Sequence, residues 1–138
     1  EDLIETQIGD YLFVSSILGG NSLNLTRIDY DQGLQWSKDY TFGDGISSPK
    51  VIEWPQENAF LITGFALTNA QNRILIKVDN SGNLLWSRRY GGNGDVYVAN
   101  RGISDAVVLP SGNVIMAGGA NQISNGTGAN DLFVGKID

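Results

Sequence analysis

The sequence of 138 residues contains no cysteine and no histidine. The absence of cysteine excludes disulfides, thiolate nucleophiles and thiolate metal sites from this segment. The absence of histidine removes the usual general base and the commonest metal ligand. An enzyme built from this segment alone would have to use carboxylates, lysine, tyrosine or serine. We therefore expect no catalytic residues, no metal site and no cofactor here.

Positive charge and long apolar runs are also scarce. The chain has 9 Lys and Arg against 15 Asp and Glu, a net charge of -6. Nucleic-acid binding usually needs a basic face, so we expect no nucleic-acid partner. No apolar run approaches the roughly 18 residues of a membrane span, so we expect no such span. Only 3 prolines stand beside 18 glycines, a composition that fits many tight turns between short strands.

An internal repeat organises the chain. The segment from Arg27 to Tyr40 recurs as the segment from Lys77 to Tyr90, with an offset of 50 residues throughout. Each copy starts with a basic residue, a β-branched residue and Asp, and continues with Trp, Ser, a basic residue and Tyr. A third copy begins at Lys136-Ile137-Asp138. The residues that we expect to be structural in every copy are Asp29, Asp79, Asp138, Trp36, Trp86, Tyr40, Tyr90 and Gly118.

The first halves of the units align as well. Residues 2–15 lie over residues 105–118 without a gap, and the middle copy has a turn one residue longer. Each unit is predicted to form four short strands rich in Val, Ile, Leu and aromatic residues. In the middle unit these strands are about 50–54, 59–66, 73–79 and 83–90, with a hairpin turn at 79–83. No stretch has a capped helical period, so no helix is predicted.

A repeat of about 50 residues with four strands is typical of a β-propeller blade. We therefore predict an all-β chain of about three four-stranded antiparallel blades. Blade 1 covers about 1–45, blade 2 about 46–92, and blade 3 about 103–138 without its final strand. Propellers need roughly four to eight blades to close, so we predict that this is part of a larger closed propeller. The further blades would come from the same longer chain or from a homo-oligomer, leaving neither terminus a free edge.

The repeat resembles a known family. Asp79 to Gly92, Asp105 to Gly118 and Asp131 to Asp138 are similar to the repeats of bacterial secreted and cell-surface β-propellers, the seven-bladed type. The first unit departs from that pattern at Thr41-Phe42-Gly43 and at Ser15-Ser16. The resemblance implies an extracellular or cell-surface location and a structural or protein-binding role.

Several motifs have two interpretations. Trp36 and Trp86 are packing anchors between blades, or they belong to a quinone-cofactor propeller, although the Asp79–Gly82 spacing is one residue short of that motif. Asp31 to Trp36 partly resembles the Asp-box of sialidases. The turns that begin at Asp29 and Asp79 offer oxygens to Ca²⁺, or their aspartates cap their own turns.

Two further features concern the surface. Asn24-Leu25-Thr26 and Asn125-Gly126-Thr127 have the sequence of glycosylation sites, of which Asn24 enters a strand. Arg88-Arg89 is the main basic cluster, either a solvated strand edge or a docking patch for an acidic partner.

Function is expected to reside in the loops. The leading hypothesis is a non-catalytic propeller that contacts a protein or glycan partner through residues 17–22, 66–72, 93–102 and 119–130. A first alternative is a carbohydrate-binding lectin assembled from short chains, which uses Trp36, Trp86, Tyr40 and Tyr90. A second alternative is a segment of a propeller enzyme, such as a glycosidase whose active site lies mostly outside this segment.

Overall fold

The computed structural model describes residues 1–17, 21–43, 45–66, 73–90, 103–120 and 131–137. These residues form three antiparallel sheets, each built from consecutive strands in chain order. Sheet one contains β1 (Asp2–Glu5), β2 (Tyr11–Ser16), β3 (Ser22–Asp29) and β4 (Gly33–Thr41). Sheet two contains β5 (Ile46–Trp54), β6 (Ala59–Ala66), β7 (Arg73–Asp79) and β8 (Leu84–Tyr90). Sheet three contains β9 (Ile103–Val108), β10 (Val114–Ala120) and β11 (Asp131–Ile137).

The prediction of an all-β chain is confirmed. In the middle unit the second and third strands have the predicted bounds, 59–66 and 73–79, and the fourth begins one residue late at Leu84. The first strand starts earlier than predicted, at Ile46, and bulges between Ser47 and Lys50. The described residues contain one short helical turn, the 3₁₀ segment Pro55–Glu57, so no helix among them is long enough to span a membrane. None of the three sheets closes on itself.

Three hairpin turns share one geometry: Thr6–Asp10, Asp79–Asn83 and Leu109–Asn113. In each, the first backbone N–H donates to the fifth carbonyl, over 2.7, 2.9 and 2.7 Å respectively. The fourth residue is a glycine whose N–H donates back to the first carbonyl. That glycine has a φ of 74° to 89°, a left-handed conformation that side chains disfavour. The predicted hairpin turn at 79–83 is therefore confirmed.

Sheet two lies between the other two and is buried on both faces. We call the side of a sheet that faces the preceding sheet in chain order its leading face, and the opposite side its trailing face. In sheet one, the trailing face is the side that packs on sheet two. In sheet two, Phe60 and Ile62 on the leading face pack against sheet one. Leu61 and Leu75 on the trailing face pack against sheet three. Strands buried on both faces are nearly continuously apolar, which explains why β6 and β7 contain so many Ile, Leu and Phe residues.

The short turns of neighbouring sheets lie at a common end. The Gln7 backbone N–H donates to Glu53 Oε2 over 2.8 Å, and Gln56 Nε2 donates to the Leu109 carbonyl over 3.4 Å. Antiparallel strands alternate in direction, so the connections from β2 to β3, β6 to β7 and β10 to β11 start from the opposite end. The loops predicted to contact a partner belong to these connections and to the one from β8 to β9. They lie mostly outside the described residues.

Candidate functional site

The turn Asp79–Asn83 is held in shape by the carboxylate of Asp79. Its Oδ1 accepts hydrogen bonds from the backbone N–H groups of Ser81 and Asn83, over 2.9 and 2.7 Å. Its Oδ2 accepts from Asn83 Nδ2 over 2.9 Å. The hydrogen bonds from the Asn83 backbone and side chain, followed by that from Ser81 and the charge of Lys38, lower the pKa of Asp79. The carboxylate therefore caps its own turn, as the aspartate of an Asx-turn does.

Basic residues on the trailing face of sheet one bind this turn through hydrogen bonds. Arg27 Nη1 donates to the carbonyl and to Oδ1 of Asn80, over 2.9 and 2.6 Å. The same guanidinium is anchored within its own sheet by Asp10, whose Oδ2 lies 2.6 Å from Nε and 2.5 Å from Nη2. Lys38 Nζ donates to Asn83 Oδ1 over 2.7 Å. The turn of sheet two thus supplies oxygen acceptors to charged donors on sheet one.

Two aromatic residues of sheet one also contact the turn. A Cβ atom at Gly82 would lie 2.9 Å from Cζ3 of Trp36, so the indole packs directly on a position that only glycine allows. The hydroxyl of Tyr40 donates to the Gly82 carbonyl over 2.7 Å. Burial, followed by the charge of Asp79, raises the pKa of Tyr40 to about 12. The phenol therefore stays protonated, and a donor, at physiological pH. We call Arg27, Trp36, Lys38 and Tyr40 the filled turn site.

Two basic residues, a tryptophan and a tyrosine recur 50 positions later on the trailing face of sheet two, with arginine and lysine exchanged. They are Lys77, Trp86, Arg88 and Tyr90, which we call the open turn site. Lys77 Nζ is held by Glu57 Oε2 at 3.1 Å, as Arg27 is held by Asp10. Trp86 and Tyr90 are partly buried against the core shared with sheet three. Within the described part of the chain, no turn contacts this surface, and the Tyr90 hydroxyl has no hydrogen bond there.

The turn from Asp29 to Gly33 caps itself in the same way but contacts no neighbouring sheet in the described residues. Asp29 Oδ1 accepts from the backbone N–H groups of Asp31 and Gln32, each over 2.8 Å. A Cβ atom at Gly33 would meet nothing within 4 Å. Asp138, the corresponding residue of the third copy, lies outside the described residues.

The other sites predicted from the sequence are dispersed. Gly118 lies in β10 at an irregularity of its pairing with β9, away from the turns. Among the described residues, no three acidic side chains come close enough together to hold a metal ion. The sequence interpretation missed the role of Arg27 and Lys38, which hold the turn. The available signal was that both positions stay basic in the second copy, as Lys77 and Arg88.

A polar network covers the outer half of the leading face of sheet one. Asn24 Nδ2 donates to Asp39 Oδ1 over 2.7 Å, and Thr26 Oγ1 donates to Asn24 Oδ1 over 2.7 Å. In sheet two the corresponding positions are Ile74 and Ile76, which are fully buried. The leading face of sheet one is therefore polar where that of sheet two is apolar, and the amide of the Asn24 glycosylation sequence is already engaged.

Comparison with known proteins adds information on the fold. No protein family matches the sequence, and no curated protein matches it. The chain is similar to a crystal structure of a protein of unknown function from Dyadobacter fermentans DSM 18053, with a TM-score of 0.61 and 14% sequence identity. The similarity covers 87% of this chain and 33% of that one. The chain therefore spans about one third of the length of the structure that it matches.

Proposed function

We propose that the three sheets are blades of a β-propeller and that the chain is a non-catalytic structural and protein-interaction module. One observation carries this proposal. The basic residues, Trp and Tyr that recur between the first two copies contact the 79–83 turn from sheet one, and the recurring Asp holds that turn in shape. A repeat whose marked residues hold its units together is suited to building a scaffold.

The order of the sheets supports the propeller. In each sheet the strands follow chain order, and the first strand of each later sheet contacts the first two strands of the sheet before it. Propellers are radial arrangements of four-stranded sheets with this repetition. The similarity to one third of a longer protein is also what a segment of a larger ring would give. An extracellular or cell-surface location belongs to the same proposal, because it rests on the resemblance of the repeats to secreted propellers.

The two ends of the stack differ in a way that favours partner binding at one of them. At the short-turn end, hydrogen bonds join each sheet to its neighbour through Gln7 and Gln56. The connections that leave the other end are longer and rich in Asn, Gly, Ser and Gln. Segments of this kind on a rigid scaffold commonly carry binding residues. We assign the partner-binding surface to this end.

A photo-crosslinking residue tests this assignment. It is placed at Asn21, at the long-connection end, or at Gln32, at the short-turn end, and each variant is incubated with surface proteins of the source organism. We expect a specific adduct from position 21 and none from position 32. Adducts from position 32 alone would contradict the assignment. Glycan-array binding without any protein adduct would instead favour the lectin.

A further inference from the structure

We propose that Lys77, Trp86, Arg88 and Tyr90, the open turn site, are a docking site for a five-residue hairpin turn. The turn has aspartate first and glycine fourth, and it is delivered by the polypeptide that continues strand β11 of sheet three. The inference goes beyond the proposed function, because it depends on a contact seen between sheets one and two. It requires neither ring closure nor an external partner.

The register of the strands supports the point of delivery. In sheet two, β7 leads into the turn that occupies the filled turn site, and its last buried residue, Val78, pairs with Phe60. In sheet three, β11 has the same position, and its buried residue Ile137 pairs with Val114. Both residues lie in the core between their own sheet and the preceding one. Ile137 therefore stands where Val78 stands in sheet two, at the end of the strand that leads into the turn on the trailing face of the preceding sheet.

The side chains of the open turn site also favour a five-residue turn with glycine in fourth place. Trp36 packs directly against Gly82, where a Cβ atom would lie 2.9 Å from its ring, and a glycine would allow the same close approach at Trp86. Tyr90 offers a hydroxyl donor where Tyr40 holds a carbonyl. Arg88 lies with its guanidinium 4.7 Å from the centroid of the Trp86 ring, on the strand position from which Lys38 reaches a side-chain amide. The site thus calls for a glycine, a carbonyl and amide oxygens.

Lys77 is held in place by an acidic residue of its own sheet, as Arg27 is in the filled turn site. In the filled turn site, Arg27 is held by an acid of its own sheet and donates onward to the turn of the next sheet. Lys77 is held by Glu57 in the same manner and lies 4.3 Å from the centroid of the Trp54 ring. An ammonium group has three donors, so Lys77 retains donors for an incoming turn. The open site therefore reproduces both the donors and their support.

An extended chain tests the proposal directly. The sequence of residues 80–90 is added after Asp138, with phenylalanine in place of its tryptophan. Both chains then have 3 tryptophans, and 5-fluorotryptophan gives one fluorine signal each for Trp36, Trp54 and Trp86. On extension we expect the Trp86 fluorine signal to move toward that of Trp36. The Trp36 signal should stay in place.

Two controls decide the outcome. The same extension with valine at the position copied from Gly82 should leave the Trp86 signal as it is in the unextended chain. As a second measurement, a free peptide with the sequence of residues 77–90 is titrated into the unextended protein, where a saturable shift of Trp86 alone supports the site. The proposal is overturned if neither extension nor peptide moves Trp86, or if the valine form acts equally well. A Trp86 shift that grows with concentration of the unextended protein would assign the site to a second copy instead, and would overturn delivery by β11.

Discussion

Tyr40 and Tyr90 are equivalent residues of the repeat with different surroundings. Tyr40 is buried, and its hydroxyl is bonded to the neighbouring sheet. Tyr90 is only partly buried and makes no such bond within the described residues. The same contrast holds for Trp36, which lies on Gly82, and Trp86, on which no turn lies among the described residues. Residues of the same type at equivalent positions of the repeat therefore need not contribute equally to stability.

Alkaline pH should reveal the burial of Tyr40. Its pKa is raised from 10.0 to about 12 in the folded protein, so the unfolded chain loses this proton first as the pH rises. The contribution is fully present below pH 10 and is lost as the pH rises through 12, at up to about 1.4 kcal/mol per pH unit. Urea unfolding of the protein and of Tyr40→Phe at several pH values between 9 and 12 measures this slope.

The Tyr40→Phe variant should have a flatter slope than the unmodified protein. Tyr30→Phe serves as the control, because Tyr30 is 81% exposed and its removal should leave the slope unchanged. Equal slopes for the unmodified protein and Tyr40→Phe would show that Tyr40 is not buried in solution.

The two tryptophans should differ in their contribution to stability. Trp→Ala substitutions in cores cost about 3–5 kcal/mol, and Trp36→Ala is expected near the lower end because the ring is only partly buried. Trp86→Ala should cost less, because no turn lies on that ring among the described residues. Chemical denaturation of the two variants gives the comparison, and an equal or larger loss for Trp86→Ala would contradict it.

At the scale of an element, the turn Asp79–Asn83 acts both as a hairpin closure and as a contact between sheets. Asp79 shapes the turn through bonds to Ser81 and Asn83. Asn80, Gly82 and Asn83 then present their oxygens to sheet one. The local and the tertiary roles belong to different residues of one short segment, so they can be separated by substitution.

The tertiary role is tested by Gly82→Ala with Gly33→Ala as its control. Both glycines have a left-handed φ, 74° and 77°, and alanine there costs roughly 1–2 kcal/mol through backbone strain alone. Only at Gly82 does the new Cβ also meet a tryptophan ring, at 2.9 Å. We expect a larger loss of unfolding free energy for Gly82→Ala, measured by urea denaturation. Equal losses would mean that the turn does not press on Trp36.

The local role is tested by pH. Hydrogen bonds lower the pKa of Asp79 below its ordinary value of 3.8, so its stabilising contribution is present above that value and is lost as the pH falls toward the folded pKa. Asp79→Asn should therefore weaken the protein at neutral pH and make its stability less sensitive to acid below about pH 4. Thermal melts between pH 2.5 and 6 check this, with Asp31→Asn as the control. An acid profile of Asp79→Asn that parallels the unmodified protein would disprove the assignment.

At the scale of the whole molecule, the two outermost faces of the stack are unlike. The trailing face of sheet three exposes Val107 and Val134, at 52% and 62% of their surfaces. The leading face of sheet one presents the polar network of Asn24 and Thr26 beside exposed Leu3. Exposed apolar strands favour association, so the face of sheet three is the one that most needs a covering partner.

Self-association of residues 1–138 at micromolar concentration is the expected consequence. Sedimentation velocity should show species larger than the monomer, and the double substitution Val107→Lys with Val134→Lys should reduce them. Ile8→Lys is the control, because Ile8 is 72% exposed but lies in a short turn. A well-dispersed monomer of the unmodified protein would contradict both this prediction and the expectation that neither terminus is a free edge.

Strand positions and turn chemistry could be predicted from the residues alone. The bounds 59–66 and 73–79 follow from apolar, β-branched segments, and the turn at 79–83 follows from Asp79 and Gly82, because these preferences act over a few neighbouring residues. The offset of 50 identified equivalent positions for the same reason, since each unit repeats its local pattern.

The contacts between sheets depended on the tertiary structure. That Arg27 holds Asn80, and that Trp36 lies on Gly82, requires the stacking of two sheets whose contacting residues are more than 40 positions apart. The repeat made Trp36 and Trp86 look alike, because it records the same residue types at the same strand positions. They differ because a side chain's burial and hydrogen bonds depend on the chain segment packed against it, and no local pattern specifies that segment.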